Sequence, residues 1–431
     1  MNRKTQPDLK LIDQLYLPAV EKSKLDNGIP LYSINAGNED VVKLEFIFNA
    51  GKWQQQKKLA AYMTSRLMKQ GTAKMTSREI SDELDFYGAS VKCENNADEI
   101  RFEITTLSKF VGPVFKLSSE ILTEPSFPQH EMEIIVKNQK QRLMVNKKKV
   151  EYLARVKCMS SLFGQNHSYG SEPMEEDYDS FQLKDAISHY ENFVHGGNCL
   201  VIASGKLPDG FHQSLQKYFG MKDWVKQPMN IENNKTIEAN EGNHLINMDD
   251  ASQSAIRIGK ILFDKRHADY NGLRVLNVIL GGYFGSRLMA NVREDKGYTY
   301  GIYSSLQSFQ HSGYMMIGTE VGTDVTEAAR EEIYKEIQLL IDEPVKQEEL
   351  QCVKNYLSGS MLSAFDGVFN VSAALSNLLP YGLDFDFVHL QFETVKNITA
   401  DELQSLAIKY YQAESFTEVI AGAVNQEVKK S

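Results

Sequence analysis

Residues 281–303 read GGYFGSRLMANVREDKGYTYGIY: a glycine-marked turn, a short helix bearing Ser286-Arg287-Leu288-Met289 and Arg293, then a tyrosine-rich strand. Arg293 and Tyr300 stand seven residues apart across a helix-to-strand turn at Gly297. Both carry donors suited to a peptide carbonyl. Gly281, Gly282 and Gly285 mark either a flexible loop that contacts substrate or a tight turn between helices.

Part of this stretch occurs twice. Ser65-Arg66-Leu67-Met68 precedes Ser286-Arg287-Leu288-Met289 by 221 residues, and Ala186-Ile187-x-x-Tyr190 precedes Ala407-Ile408-x-x-Tyr411 by the same offset. Between them, Glu124-Pro125 with Lys137-Asn138 is matched by Glu343-Pro344 with Lys354-Asn355, two residues closer together. Three matches in one order at nearly one offset indicate a duplicated fold with halves of ordinary domain size. The polar stretch at 226–243 is the expected linker, separating domains at 1–225 and 244–431.

Each half shows the same coarse plan. In the first, Leu31–Ile34 and Val41–Asn49 read as strands, Lys58–Lys69 as a helix, and Thr76-x-x-Glu79 as a capping box opening a second helix. A hairpin turns at Asn95–Glu99, helices fill 107–193, and Leu200–Ala203 closes the half as an apolar strand. In the second, a strand through Ile256 and Ile258, a helix over Leu273–Leu280 and a hairpin near His311–Gly313 precede helices at 325–340, 346–365 and 401–411. The expected fold class is α+β: two homologous domains, each a mostly antiparallel sheet covered by helices on one face.

Composition bounds the function. The chain has 431 residues, 42% of them apolar, and a net charge of −10 with interspersed lysines and glutamates, so no basic face invites nucleic acid. The four cysteines form no C-x-x-C pair, which argues for free thiols in a reducing compartment. No apolar run is long enough for a membrane span, and residues 1–20 lack the core of a signal peptide, so a cytoplasmic location is expected unless a leader has been trimmed.

The ordered set Leu25-Asp26-Asn27-Gly28, Phe48-Asn49-Ala50-Gly51, Gly71-Thr72, Phe86-Tyr87-Gly88-Ala89, His167-Ser168-Tyr169-Gly170 and SRLMANVREDKGYTYG resembles the insulinase/pitrilysin-type (inverzincin) metallopeptidases. It is most similar to the non-zinc subunit of two-chain bacterial members and of mitochondrial processing peptidase. That resemblance implies a half clamshell that encloses a peptide-degrading chamber with a second chain. In self-sufficient members the first-domain helix carries H-x-x-E-H, two zinc ligands one turn apart with a glutamate base between them. The matching positions here are Tyr62, Ser65 and Arg66, and the third ligand falls near Gln139. Tyrosine is a poor zinc ligand at neutral pH, serine is no carboxylate base, arginine brings a fixed positive charge and an amide binds zinc weakly. No two of the nine histidines share a helical turn.

The resemblance therefore implies no metal in this chain, zinc in a homologous H-x-x-E-H-bearing partner, and an extended peptide as substrate. It assigns Arg293 and Tyr300 to the substrate carbonyl, and to its oxyanion, in the partner's active site. The alternatives are a structural or assembly scaffold and a stand-alone peptide-binding homodimer of the same fold.

Overall fold

The computed structural model describes residues 14–229, 237–240 and 242–423. Residues 230–236 and 241 of the expected linker, and residues 1–13 of the stretch examined for a signal peptide, lie outside the described residues. The first half contains the strands β1 (Glu21–Lys24), β2 (Pro30–Asn35), β3 (Val41–Phe48), β4 (Ser90–Asn95), β5 (Ile100–Leu107) and β6 (Cys199–Gly205). Its helices are α1 (Ala60–Leu67), α2 (Ser77–Phe86), α3 (Val111–Thr123), α4 (Gln129–Asn146), α5 (Val150–Phe163), α6 (Glu175–Asp179), α7 (Leu183–Phe193) and α8 (Phe211–Phe219).

The second half follows with β7 (Asn243–Asn247), β8 (Gln253–Leu262), α9 (Tyr270–Asn277), β9 (Ile302–Ser308) and β10 (Gly313–Gly322). It ends with α10 (Thr326–Asp342), α11 (Gln347–Ala364), α12 (Val368–Ser376), α13 (Phe385–Asn397), α14 (Ala400–Tyr410) and β11 (Thr417–Gly422).

Strand order makes the duplication visible. The sheets run β1-β2-β6-β3-β5-β4 and β7-β11-β8-β10-β9, so five strands correspond one for one. Among the described residues the only parallel pairing in each sheet is the equivalent one, β2 with β6 and β7 with β11, as return after a run of helices requires. The two helices that follow Glu-Pro, α4 and α11, each span 18 residues. Both sequence-predicted capping boxes form, Thr76 with Glu79 and Thr399 with Glu402. Two orphan donors at each helix start are thereby satisfied.

One face of each sheet packs on helices of its own half. Phe46, Phe48, Phe102 and Met63 lie in the first core, and Ile256, Ile258, Leu276 and Ile337 in the second. The other faces are covered by exchange, which goes beyond the expected single helical layer. α5 of the first half lays Met159, Leu162 and Phe163 on Ala255, Val419 and Ala421 of the second sheet. α12 of the second half returns Val371 and Leu375 to Ile34, Ile47 and Ile202 of the first. Each large side chain so buried contributes about 1.5–3 kcal/mol, so the halves are joined by core packing.

The hairpin turns complete the junction. Gln310 N donates to Asp98 Oδ2 at 2.9 Å, Gln310 Nε2 reaches Glu99 Oε1 at 3.1 Å, and Trp53 stacks on His311 with centroids 4.1 Å apart. Tyr169 donates its hydroxyl to Asp98 Oδ1 and stacks on Phe309. No helix among the described residues is long and apolar enough to cross a membrane.

Candidate functional site

In the first half, the four positions matched to a metal site come together. Tyr62, Ser65 and Arg66 share α1, where positions three and four apart lie on one face, and Gln139 faces them from α4. α1 is held by Thr64, whose buried hydroxyl donates to Ala186 O of α7 at 2.9 Å. Leu59 enters α1 at φ +74, a left-handed conformation uncommon for a residue with a side chain, and is anchored by burial in the core. Ser65 is fully buried; its hydroxyl donates to Tyr62 O at 2.8 Å and lies 3.3 Å from Asn95 Oδ1. The position of a catalytic base thus holds a helix-internal hydrogen bond.

Tyr62, Arg66 and Gln139 border a cleft of about 340 Å³ with Lys52, Lys58 and Glu172. Lys52 arrives because the exit of β3 pairs with the β4–β5 turn, through Gly51 N to Asp98 O at 3.0 Å and Trp53 N to Ala97 O at 2.8 Å. Its Nζ donates to Ser171 O at 3.2 Å and stands 3.9 Å from Glu172. Burial lowers the Lys52 ammonium below the usual lysine range, and Glu172 offsets this only in part. Glu172 is also shared with Arg155 at 3.4 Å. Arg66 rests over the Tyr62 ring at 5.4 Å.

This donor set does not fit zinc. It offers one carboxylate against three cations, and among the described residues no three His, Cys, Asp or Glu side chains gather at metal-binding range. Lys52, Lys58 and Glu172 were not singled out from the sequence. Lys52 follows directly on Phe48-Asn49-Ala50-Gly51, but its arrival beside Arg66 depends on the tertiary pairing at the β4–β5 turn. A larger groove of about 660 Å³ between α2 and β4 lies apart from these residues.

The second-half stretch is built differently from the short helix expected. Val278–Gly282 and Met289–Asp295 are π-helical turns. The second is closed by Lys296 N donating to Asn291 O at 2.9 Å, while Asn291 Nδ2 reaches Glu332 and Glu336 of α10 at 2.8 and 2.7 Å. That clamp on α10 fixes the wider turn, a distortion often found at functional positions. Val292 is buried, so neighbouring Arg293 is turned outward, over the exposed Phe284 ring at 4.7 Å. Its nearest carboxylate is Glu294 at 3.8 Å, an exposed pair of the kind that contributes about 0–1 kcal/mol.

Gly297 turns the chain at φ +68 into Thr299, whose hydroxyl is pinned to Glu320 O at 2.7 Å. Tyr300 is thereby thrown into solvent, 96% exposed, with no hydrogen-bond partner among the described residues. Gly281 is buried where a Cβ would stand 2.6 Å from Ser304 N of β9, so close packing accounts for it. Gly282 and Gly285 are exposed, the first ending the π-helical segment and the second in the turn that follows it.

The sequence offset of 221 matches Tyr62 and Arg66 to Tyr283 and Arg287, but the fold sets them apart: α1, which packs on α7, is equivalent to α9, which packs on α14, and Tyr283 and Arg287 lie beyond α9. Arg287 forms a two-pronged ion pair with Glu349 of α11, both contacts at 2.8 Å, and Tyr283 packs on Tyr356 at 4.8 Å.

Comparison with known proteins gives two family matches: residues 31–171 match the model of insulinase (peptidase family M16), and residues 180–357 match that of the peptidase M16 inactive domain. The chain is 21% identical over 298 residues to an uncharacterized zinc protease, YmxG, of Bacillus subtilis, spanning 69% of this chain and 72% of that one. It is 20% identical over 368 residues to a non-peptidase homolog, YmxG, of Helicobacter pylori, spanning 83% of each. The solved structure of a peptidase M16 inactive domain from Pseudomonas fluorescens superposes with a TM-score of 0.86 at 20% identity, covering 94% of this chain and 98% of the other. A protease from Helicobacter pylori does so at 0.84 and 16%, covering 94% and 100%.

Proposed function

This chain belongs to the M16 (insulinase) peptidase family, among its inactive homologues, and from that premise we propose that it is the non-zinc subunit of a two-chain peptidase. It pairs with a homologous chain that bears H-x-x-E-H and zinc, closes the chamber, and lends Arg293 and Tyr300 to the substrate carbonyl there.

The observation that carries this reading is that neither donor is consumed by its own chain. Arg293 is steadied by Phe284 and touches Glu294 only at 3.8 Å, and Tyr300 is fully presented to solvent. A guanidinium fork and a phenol so presented suit a peptide carbonyl and the oxyanion formed when water attacks it. β9, which starts two residues after Tyr300, is a terminal strand of its sheet, as is β4 in the first. Terminal strands can take an extended peptide by strand addition.

The test is to combine the purified chain with its H-x-x-E-H-bearing homologue and measure peptide hydrolysis. The pair is expected to cleave and each chain alone to be far slower. Hydrolysis by the pair that Arg293→Ala leaves unchanged would remove the assigned role.

A further inference from the structure

A second SRLM arginine, at a different place in the fold, offers a contrast for the first-half cleft. The same SRLM arginine occurs twice: Arg287 is neutralised by Glu349 through two contacts of 2.8 Å, whereas Arg66 has no carboxylate partner among the described residues. Arg66 is instead held over the Tyr62 ring, which presents its fork to the cleft mouth. Lys52 and Lys58 reach the same cleft, and their ion pairs, with Glu172 at 3.9 Å and Asp177 at 3.6 Å, are both longer than a hydrogen bond. A chain of net charge −10 has thus gathered three incompletely compensated cations in one concave site, beside the amide of Gln139.

We propose that this cleft is an anion site that takes a peptide carboxylate, with Arg66 and Lys52 as its principal contacts. Three further features fit that ligand. Arg66 offers the planar fork that matches a carboxylate, where an arriving anion gains charge-assisted hydrogen bonds. Burial lowers the pKa of Lys52, and an anion that settles beside it favours its charged form. The volume of about 340 Å³ accommodates a terminal residue or an acidic side chain and excludes a folded chain. The face that holds metal in the active relatives would then hold the charged end of a peptide.

The inference rests on the reading that this face meets peptide. Its test uses the full chain and isothermal titration calorimetry with one acetylated hexapeptide in three forms: free acid, carboxyl-terminal amide, and amide with one internal glutamate. The free acid is expected to bind about tenfold or more tightly than the plain amide, with the gap shrinking as salt is raised. Arg66→Gln, and separately Lys52→Gln, should abolish the gap while thermal melts stay cooperative; Arg66→Lys should restore part of it. If the glutamate-bearing amide binds like the free acid, the carboxylate can come from a side chain; if it binds like the plain amide, the site reads the terminus. Equal binding of acid and amide would overturn the anion site and leave peptide binding standing. Failure of all three forms to bind would overturn both, and a preference that survives both glutamine variants would place the carboxylate contact elsewhere.

Discussion

Arg66 and Arg287 share the SRLM sequence, each four residues after a tyrosine, but not a place in the fold: Arg66 lies on α1, the first helix after β3, whereas Arg287 follows α9, the first helix after β8, and their charge environments are opposite. Arg287 spends its fork on Glu349 within its own half, and the adjoining π-turn sends Arg293 outward. Arg66 sits over Tyr62 at the mouth of a cationic cleft, at a position that the sequence resemblance matches to a metal ligand. The difference shows how a duplicated fold divides labour. The second half spends its SRLM arginine on structure and presents the next turn outward; the first half leaves its SRLM arginine open to the cleft.

The largest expected effect tests the freed turn. On the proposed function, Arg293→Ala in the two-chain enzyme would remove one oxyanion donor, so kcat should fall about 10²–10³-fold, or about 2.7–4 kcal/mol, with folding unaltered. A loss confined to KM would reassign Arg293 to ground-state binding.

Next is a pH asymmetry between the copies. His189 of α7 is buried with Nε2 donating to Ala50 O, and burial holds its pKa down to about 4. Counted from the two helix starts, its counterpart in α14 is Leu406, which carries no titratable proton. Between the unfolded value near 6.5 and 4, the unfolded chain binds the proton and the native one does not, so stability falls as pH falls through that window. The loss from this residue approaches about 3 kcal/mol at pH 4. Urea unfolding of His189→Gln should be correspondingly less sensitive to acid, and parallel pH slopes for variant and wild type would count against it.

A smaller effect sharpens the arginine contrast directly. Arg287→Ala leaves Glu349 without its partner and should cost about 1–2 kcal/mol, while Arg66→Ala at an exposed position should stay within about 0.5 kcal/mol. Equal costs in chemical denaturation would erase the distinction between a structural and an open arginine.

How far these contrasts were legible in sequence depends on the distance over which each is set. Capping boxes and hairpins follow from residues within a few positions of one another, and Thr76–Glu79 and Thr399–Glu402 formed as read. The duplication was legible through short repeats, of which the Glu-Pro pair precedes equivalent helices, α4 and α11, whereas the SRLM pair falls on helices that are not equivalent. The exchange of α5 and α12 was not, since an apolar stripe states that a helix is buried and is silent about which sheet buries it. The π-turn at Met289–Asp295 likewise depends on Asn291 meeting α10 some forty residues later. In the cleft, the departures from H-x-x-E-H were readable at Tyr62, Ser65 and Arg66, whereas the arrival of Lys52 needed the pairing of Gly51 with Asp98.

Tyr300 gives the finest test of the comparison, because its role can be separated from its packing. The side chain is 96% exposed and its hydroxyl touches nothing in its own chain among the described residues, so Tyr300→Phe cannot alter the fold through a lost internal bond. Any effect must come from what the hydroxyl meets when a partner and a peptide are present. A neutral donor lost from a carbonyl contact is worth about 1 kcal/mol, so kcat/KM of the two-chain enzyme should fall about fivefold. The tyrosine that precedes the second SRLM, Tyr283, is already packed on Tyr356, and Tyr283→Phe should leave hydrolysis within about twofold. If instead Tyr300→Phe is silent and Tyr300→Ala is not, the ring is a contact surface and the carbonyl belongs to Arg293 alone. The freed turn would then carry one donor rather than two, and its contrast with the first half would rest on a single charge.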